Sequence, residues 1–181
     1  MKSARFIGNF WILVCVFGMT SLVMAAEVPF KDYEVAVVEP LEVPSGSPAP
    51  ESSGAQMAEK AVYQILRYNQ KYKFFESVTK EGSKKAEVPS GKKVLLIKGT
   101  VKEYTPPSIG GRVGRSFIPG GGYTGTAAFA AHYQFIDKET GKVIYETDLR
   151  TTSTGAQDTV EYAMDRNGEA LAKVVTKFKG K

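Results

Sequence analysis

The sequence is poor in the side chains that most metal and thiol chemistry requires. It contains one cysteine, Cys15, and one histidine, His132, in 181 residues. Zinc and most transition-metal sites are built mainly from these two residue types, so one of each excludes most such sites and leaves only carboxylate ligands. A disulfide scaffold is excluded as well, and stability must come from core packing. We therefore expect no metal ion and no cofactor.

The sequence also lacks a strong excess of either charge. Lys and Arg together number 24 and Asp and Glu 19, for a formal net charge of +5. Without Lys2 and Arg5, which belong to the segment described next, 22 basic and 19 acidic residues remain, a net charge of +3. So small an excess does not indicate nucleic-acid binding. The 43% hydrophobic and 24% charged composition is ordinary for one globular domain.

The first 26 residues are typical of an export signal. Lys2 and Arg5 precede a mostly apolar run over residues 7–23, and small residues suited to signal peptidase follow at Ala25 and Ala26. The pattern predicts a signal peptide over 1–26, cleaved after Ala25 or Ala26. The alternative is an uncleaved membrane anchor, but glycine and polar residues dilute the run. After cleavage no membrane-spanning segment is expected.

Lipidation at Cys15 is disfavoured, because Val14 stands where a lipoprotein signal has a small residue. We expect a periplasmic or secreted protein. Association with the outer membrane is an alternative, without a lipid at Cys15. The mature chain, residues 27–181, is predicted to be a single domain with flexible loops at 40–53 and 105–125, where proline, serine and glycine concentrate.

Hydrophobic periodicity predicts an α+β fold with the element order β-α-β-β-β-β-α. We expect a single mixed, largely antiparallel sheet of about five strands with two helices packed on it, and the first strand inside the sheet. The predicted strands cover residues 33–39, 73–79, 93–104, 126–136 and 142–152, and the predicted helices cover 54–72 and 158–178. Gly168 is expected to weaken the second helix by about 1 kcal/mol relative to alanine.

The last two strands allow their register to be predicted. A turn over residues 139–141, with Gly141 left-handed in a bulge, sets Phe135 opposite Tyr145 and His132 opposite Asp148. One face of the hairpin is then consistently apolar. A register one residue longer would mix apolar and charged residues on each face, so the shorter turn is favoured.

Motifs for catalysis are weak. Residues 120–125 match the spacing GxGxxG, but they precede a strand instead of joining a strand to a helix, so nucleotide binding is not indicated. His132 beside Asp148 is the one candidate base with an orienting carboxylate, and Ser108, Ser116 or Thr124 is its candidate nucleophile. A solvated cross-strand pair explains His132 and Asp148 more simply. No catalytic residue is predicted.

The glycine-rich loop carries the best candidate binding residues. Arg112 and Arg115 are candidates for gripping a small anion with help from backbone amides. Phe117, Ile118 and Tyr123 are candidates for contacting a protein partner, since loops displayed on a rigid sheet often carry recognition.

Several segments form a pattern along the chain: residues 94–101 with Glu103, Arg112 and Gly114 in the loop, glycines within 120–125, and residues 135–137, 140–142 and 154–155. Together these segments resemble the DUF4410 family of exported bacterial proteins. The resemblance implies a cell-envelope location in a Gram-negative bacterium and a function not yet known. It assigns no catalytic residues. A lipid-attachment motif, frequent in that family, is missing here.

The sequence is compatible with three functions. The leading hypothesis is a non-enzymatic envelope protein that binds a protein partner in envelope assembly or maintenance. The alternatives are a small-anion or glycan binder that uses Arg112 and Arg115, and a hydrolase that uses His132.

Overall fold

In the computed structural model, residues 29–83, 91–108, 126–154 and 158–180 are described. The element order within these ranges is the predicted one. The strands are β1 (Val35–Val38), β2 (Ser77–Lys80), β3 (Val94–Thr105), β4 (Ala128–Asp137) and β5 (Val143–Thr152), and the helices are α1 (Ser53–Tyr72) and α2 (Val160–Phe178). The predicted signal peptide and most of the predicted loop at 105–125 lie outside the described residues.

The five strands form one mixed sheet in the order β2-β1-β3-β4-β5. Strand β1 is parallel to both β2 and β3, whereas β3, β4 and β5 are antiparallel. The first strand is therefore internal, as predicted. It pairs in parallel with β2 because α1 carries the chain back to the starting end of the sheet, as a parallel crossover requires.

Strand β2 begins four residues later than predicted. Lys73 ends α1 in a left-handed conformation with φ 50°. The Asn69 side chain then accepts the N–H groups of Phe74 and Phe75 and donates to the Phe75 carbonyl oxygen. The two phenylalanines are buried as part of the core. Their apolar character indicated burial correctly, but the Asn69 side chain holds this stretch as a turn and not as a strand.

Both helices pack on the same face of the sheet. Alternate residues of the strands, such as Ala36, Ile97 and Tyr133, belong to one buried cluster with residues of α1 and α2. The helices lie close together at Gly168, where an added Cβ would lie 3.1 Å from the Lys60 carbonyl oxygen. The glycine expected only to weaken α2 therefore also permits its contact with α1.

The loop at 40–53 is buried in part, whereas its proline- and serine-rich composition is typical of an exposed loop. Leu41 and Ala49 are buried. The loop also pairs with β3: Glu42 donates its N–H to the Gly99 oxygen at 2.8 Å and accepts the N–H of Val101 at 2.8 Å. Local composition indicated a solvated loop, but these long-range hydrogen bonds hold its first residues against the sheet.

The predicted hairpin register is confirmed. Phe135 lies opposite Tyr145 and His132 opposite Asp148, with an irregularity next to the turn. Gly141 has φ 70°, as the left-handed turn position requires. The predicted apolar face of the hairpin is the face that the helices cover.

Asp137 holds this turn in place. Its Oδ1 accepts the N–H groups of Glu139 and Thr140 at 3.0 and 2.9 Å, and its Oδ2 accepts the hydroxyl of Tyr33 at 2.8 Å. The Thr140 amide, followed by the Tyr33 hydroxyl, holds the pKa of the Asp137 carboxyl below its ordinary value. Burial and the same contact with Asp137 raise the pKa of Tyr33.

We expect the substitution Asp137→Asn to cost about 1–2 kcal/mol at neutral pH, because hydrogen bonds to a charged group are the stronger ones. The folded pKa is below the unfolded one, so the carboxylate contributes its full stability above the ordinary aspartate pKa of about 3.9 and loses it as pH falls through the folded value. Urea unfolding at several pH values should show that the difference in unfolding free energy between wild type and variant becomes smaller in acid. The substitution Glu139→Gln, at an exposed position of the same turn, is the control. A difference that stays constant down to the lowest pH would contradict this role of the Asp137 carboxylate.

Candidate functional site

The face of the sheet opposite the helices carries a group of polar side chains. Residues directly opposite one another on antiparallel strands project to the same face. Thr100 on β3 pairs with His132 on β4, which in turn pairs with Asp148 on β5. We call this group the His132 array and define it as Glu42, Thr100, His132, Gln134, Glu146 and Asp148. The array lies where these strands alternate, with polar residues on this face and apolar residues under the helices. Nearer β1, the same face carries a small buried apolar cluster that includes Val35, Val37 and Leu96.

The imidazole of His132 lies between two carboxylates. Its Nδ1 is 3.0 Å from Asp148 Oδ1 and its Nε2 is 3.5 Å from Glu146 Oε2. Gln134 donates from Nε2 to the same Glu146 oxygen at 3.3 Å. A carboxylate only accepts, so Nδ1 carries a hydrogen. The Asp148 side chain is 79% exposed, which leaves its second oxygen open to solvent.

The array continues toward the loop at 40–53. Thr100 donates its hydroxyl to Glu42 Oε2 at 3.5 Å, and Lys98 forms an ion pair with Glu39 at 3.1 Å. A shallow depression of about 250 Å³ lies between these groups and His132. Its lining is mostly polar, so it suits charged or hydrogen-bonding groups better than an apolar ligand.

A second ion pair on this face was not predicted from the sequence. Arg150 donates from Nε and Nη2 to the two carboxylate oxygens of Glu103 at 2.7 and 3.0 Å. The pairing lowers the pKa of Glu103. A bulge after Val101 sets Glu103 opposite Ala130, whose small side chain lets Arg150 reach across β4. Nothing local in the sequence marks that bulge, so no sequence signal would have revealed the pair.

The loop residues chosen from the sequence cannot be placed on this face. Arg112, Arg115, Phe117, Ile118 and Tyr123 lie outside the described residues, as do the candidate nucleophiles Ser116 and Thr124. Ser108 lies just beyond the end of β3. Their proposed roles in ligand and partner binding stay predictions.

The predicted pairing of His132 with Asp148 is present, but among the residues that the structure describes it forms no relay to a nucleophile. Both imidazole nitrogens face carboxylates. The hydroxyl directly opposite, on Thr100, donates to Glu42 instead. A general base needs a nitrogen within hydrogen-bond reach of the proton it removes. The arrangement therefore resembles a surface charge network more than a catalytic site.

The described ranges contain neither a metal-binding cluster nor a membrane-spanning helix. No group of three or more His, Cys, Asp or Glu side chains within residues 29–83, 91–108, 126–154 and 158–180 is arranged to hold a metal ion. Within the same ranges, neither helix is apolar enough over a sufficient length to cross a bilayer.

No family model matches the chain, and no curated protein matches it. Solved structures of similar shape include the PelC dodecamer from Paraburkholderia phytofirmans, with 12% identity over 80% of this chain and 88% of that one and a TM-score of 0.47. Protein XCC0632 from Xanthomonas campestris, of family DUF330, has 9% identity over 80% and 81% and a TM-score of 0.45. Lipoprotein GNA1162 from Neisseria meningitidis has 13% identity over 81% and 99% and a TM-score of 0.41. At these values the similarities assign neither a family nor a function to this chain.

Proposed function

We propose that the protein is an exported, non-enzymatic envelope protein that recognises a protein partner through the His132 array. The export expectation comes from residues 1–26, and the recognition site from the sheet face opposite the helices. The single observation that carries the proposal is that this face of the described sheet presents charged and polar side chains from neighbouring strands in one exposed array.

The energetics of the array favour recognition over a structural role. Exposed ion pairs typically contribute about 0–1 kcal/mol to folding, so pairs such as Glu39 with Lys98 are not needed to hold the sheet together. Charge patterns of this kind act more strongly on partner selection and association rate. They are presented here on rigid strands whose backbone is fixed by the sheet.

The array also indicates the charge of its partner. On this face, the carboxylates around His132 outnumber the cations that pair with them. The cations are Lys98 and Arg150, and the carboxylates are Glu39, Glu42, Glu103, Glu146 and Asp148. A protein surface rich in Lys and Arg is therefore the complementary partner. The loop residues Phe117, Ile118 and Tyr123 are proposed as additional apolar contacts.

Photo-crosslinking tests this proposal. A photoreactive phenylalanine analogue at position 134 should give one dominant adduct with another envelope protein in living cells. The same analogue at Tyr63, which is 66% exposed on α1, is the matched control and should not give that adduct. The substitution Glu42→Lys should abolish the adduct, whereas Glu161→Lys, at an exposed position on α2, should leave it intact. Adduct yield should fall in high salt, because screening weakens exposed charge pairs.

Three outcomes of this experiment would contradict the proposed function. Equal adducts from positions 134 and 63, or an adduct that survives Glu42→Lys, would contradict recognition through the array. An adduct made only of two copies of this chain would likewise count against the proposed function.

A further inference from the structure

Among the described residues, no further strand pairs with the outer edge of β5. Strand β5 is ten residues long and is the last strand of the sheet. Ser153 donates its N–H to the Ala127 oxygen, which fixes the alternation of the ladder. Even-numbered residues of the strand therefore turn their N–H and C=O groups away from β4. Within the described residues, no hydrogen bond reaches the outward main-chain groups of Glu146, Asp148 or Arg150.

An exposed edge of this length normally carries a feature that blocks further pairing. Here such features lie at the two ends of the strand: Arg166 donates from Nη1 to the outward oxygen of Thr152 at 2.7 Å, and the ladder is irregular between Val143 and Tyr145 next to the turn. The middle of the strand carries Glu146, Asp148 and Arg150, with side chains 58%, 79% and 60% exposed. Charges of one sign would repel an incoming strand, but these residues are of both signs.

We infer that β5 pairs antiparallel with β5 of a second copy of this chain, in the register centred on Leu149. In that register Asp148 lies opposite Arg150 of the second copy, twice by symmetry, and Thr147 lies opposite Thr151. Opposite charges and threonine pairs are both favourable cross-strand neighbours. The two Asp148–Arg150 positions also supply four main-chain hydrogen bonds.

Neighbouring registers are electrostatically worse. Centring on Asp148 pairs Glu146 with Arg150 twice but sets two aspartates against each other at the centre, and centring on Arg150 sets two arginines against each other. Centring on Thr147 places Glu146 opposite Asp148 twice. Like charges directly opposite are destabilising, so the strand sequence selects one register.

The existing contacts within each copy leave the required groups available. Arg150 uses Nε and Nη2 for Glu103, so Nη1 remains for the second copy. Asp148 uses Oδ1 for His132, so Oδ2 remains. The interface would join Glu103, Arg150, Asp148 and His132 into one chain of alternating acid and base across the two copies. This inference concerns the edge of β5 and does not rest on the proposed function.

Sedimentation of the purified full chain measures the association. Wild type should sediment at twice the monomer mass in the micromolar range. Asp148→Arg should weaken the dimer at least about tenfold, because two arginines then face each other at both positions. The double variant Asp148→Arg with Arg150→Asp should recover much of the loss. Glu146→Arg faces Thr152 and should leave the dimer intact, whereas the register centred on Asp148 predicts its disruption.

A disulfide scan gives independent evidence. Leu149 faces Leu149 of the second copy in a non-hydrogen-bonded pair, where Cβ atoms are about 4.5–5.5 Å apart, close to disulfide reach. In a Cys15→Ser background, Leu149→Cys should form a covalent dimer, whereas Val143→Cys, exposed at the start of the same strand, should not. A wild-type monomer throughout the micromolar range, or equal crosslinking at both positions, would overturn the inference. The charge variants lie at exposed positions and decide the matter if Leu149→Cys fails to fold.

Discussion

Replacing Gly54 with alanine is expected to lower the free energy of unfolding by about 3 kcal/mol, the upper part of the range for overpacked sites. Gly54 lies in the first turn of α1 and is buried. A Cβ built at this position would overlap the main-chain carbonyl oxygen of Leu41. Backbone atoms cannot rotate away as a side chain does, so the loop or the helix must shift.

The surrounding hydrogen bonds oppose that shift. Leu41 donates its N–H to the Gly54 oxygen at 3.1 Å, and its neighbour Glu42 is bonded on both sides to β3. Moving the Leu41 carbonyl therefore breaks the attachment of the loop to the sheet. Urea unfolding of Gly54→Ala should show a lower midpoint with an unchanged slope. Gln56→Ala, on the exposed side of the same turn, should change stability by less than about 0.5 kcal/mol. Equal effects of the two substitutions would contradict the steric explanation.

Asn167→Leu should destabilise the fold by a similar amount, about 3 kcal/mol, through loss of buried hydrogen bonds. Asn167 is fully buried on α2. Its Oδ1 accepts the hydroxyl of Tyr133 at 2.7 Å, and its Nδ2 donates to the Leu149 carbonyl oxygen at 2.9 Å. Burial raises the pKa of Tyr133, so its hydroxyl stays protonated and needs an acceptor. Leucine of similar size removes that acceptor and leaves the hydroxyl unsatisfied in the core.

The double variant separates this cause from poor packing. Adding Tyr133→Phe to Asn167→Leu removes the unsatisfied Tyr133 hydroxyl, so the double variant should be more stable than Asn167→Leu alone. Chemical denaturation of the two single variants and the double variant measures the coupling. Tyr63→Phe, at an exposed position, is the control and should be close to neutral. A double variant that loses the sum of the single losses would show that the Tyr133–Asn167 hydrogen bond is not the cause.

The β4–β5 hairpin shows which structural features a local sequence pattern can predict. The pairing of His132 with Asp148 followed from alternation and from one glycine, because a single-residue slip would have moved every apolar side chain to the wrong face. The β-branched, apolar run of the first strand likewise predicted that β1 lies inside the sheet. Both inferences depend on residues close in sequence or on the period of side-chain burial.

Other features were missed because their partners are far apart along the chain. The contact of Gly168 with Lys60 depends on how α1 and α2 pack, which neither helix shows alone. The Glu103–Arg150 pair depends on a bulge in β3. Composition also made the loop at 40–53 look solvated, although hydrogen bonds to β3 bury part of it.

Local periodicity and composition were enough to predict the order of the elements, the register of the β4–β5 hairpin and the scarcity of metal and thiol ligands. Three further features came from the packing of the whole chain: both helices share one face of the sheet, the His132 array lies on the other, and the exposed edge of β5 lies beside the array. These outcomes depend on contacts between distant segments, whose geometry is set when the whole core packs together.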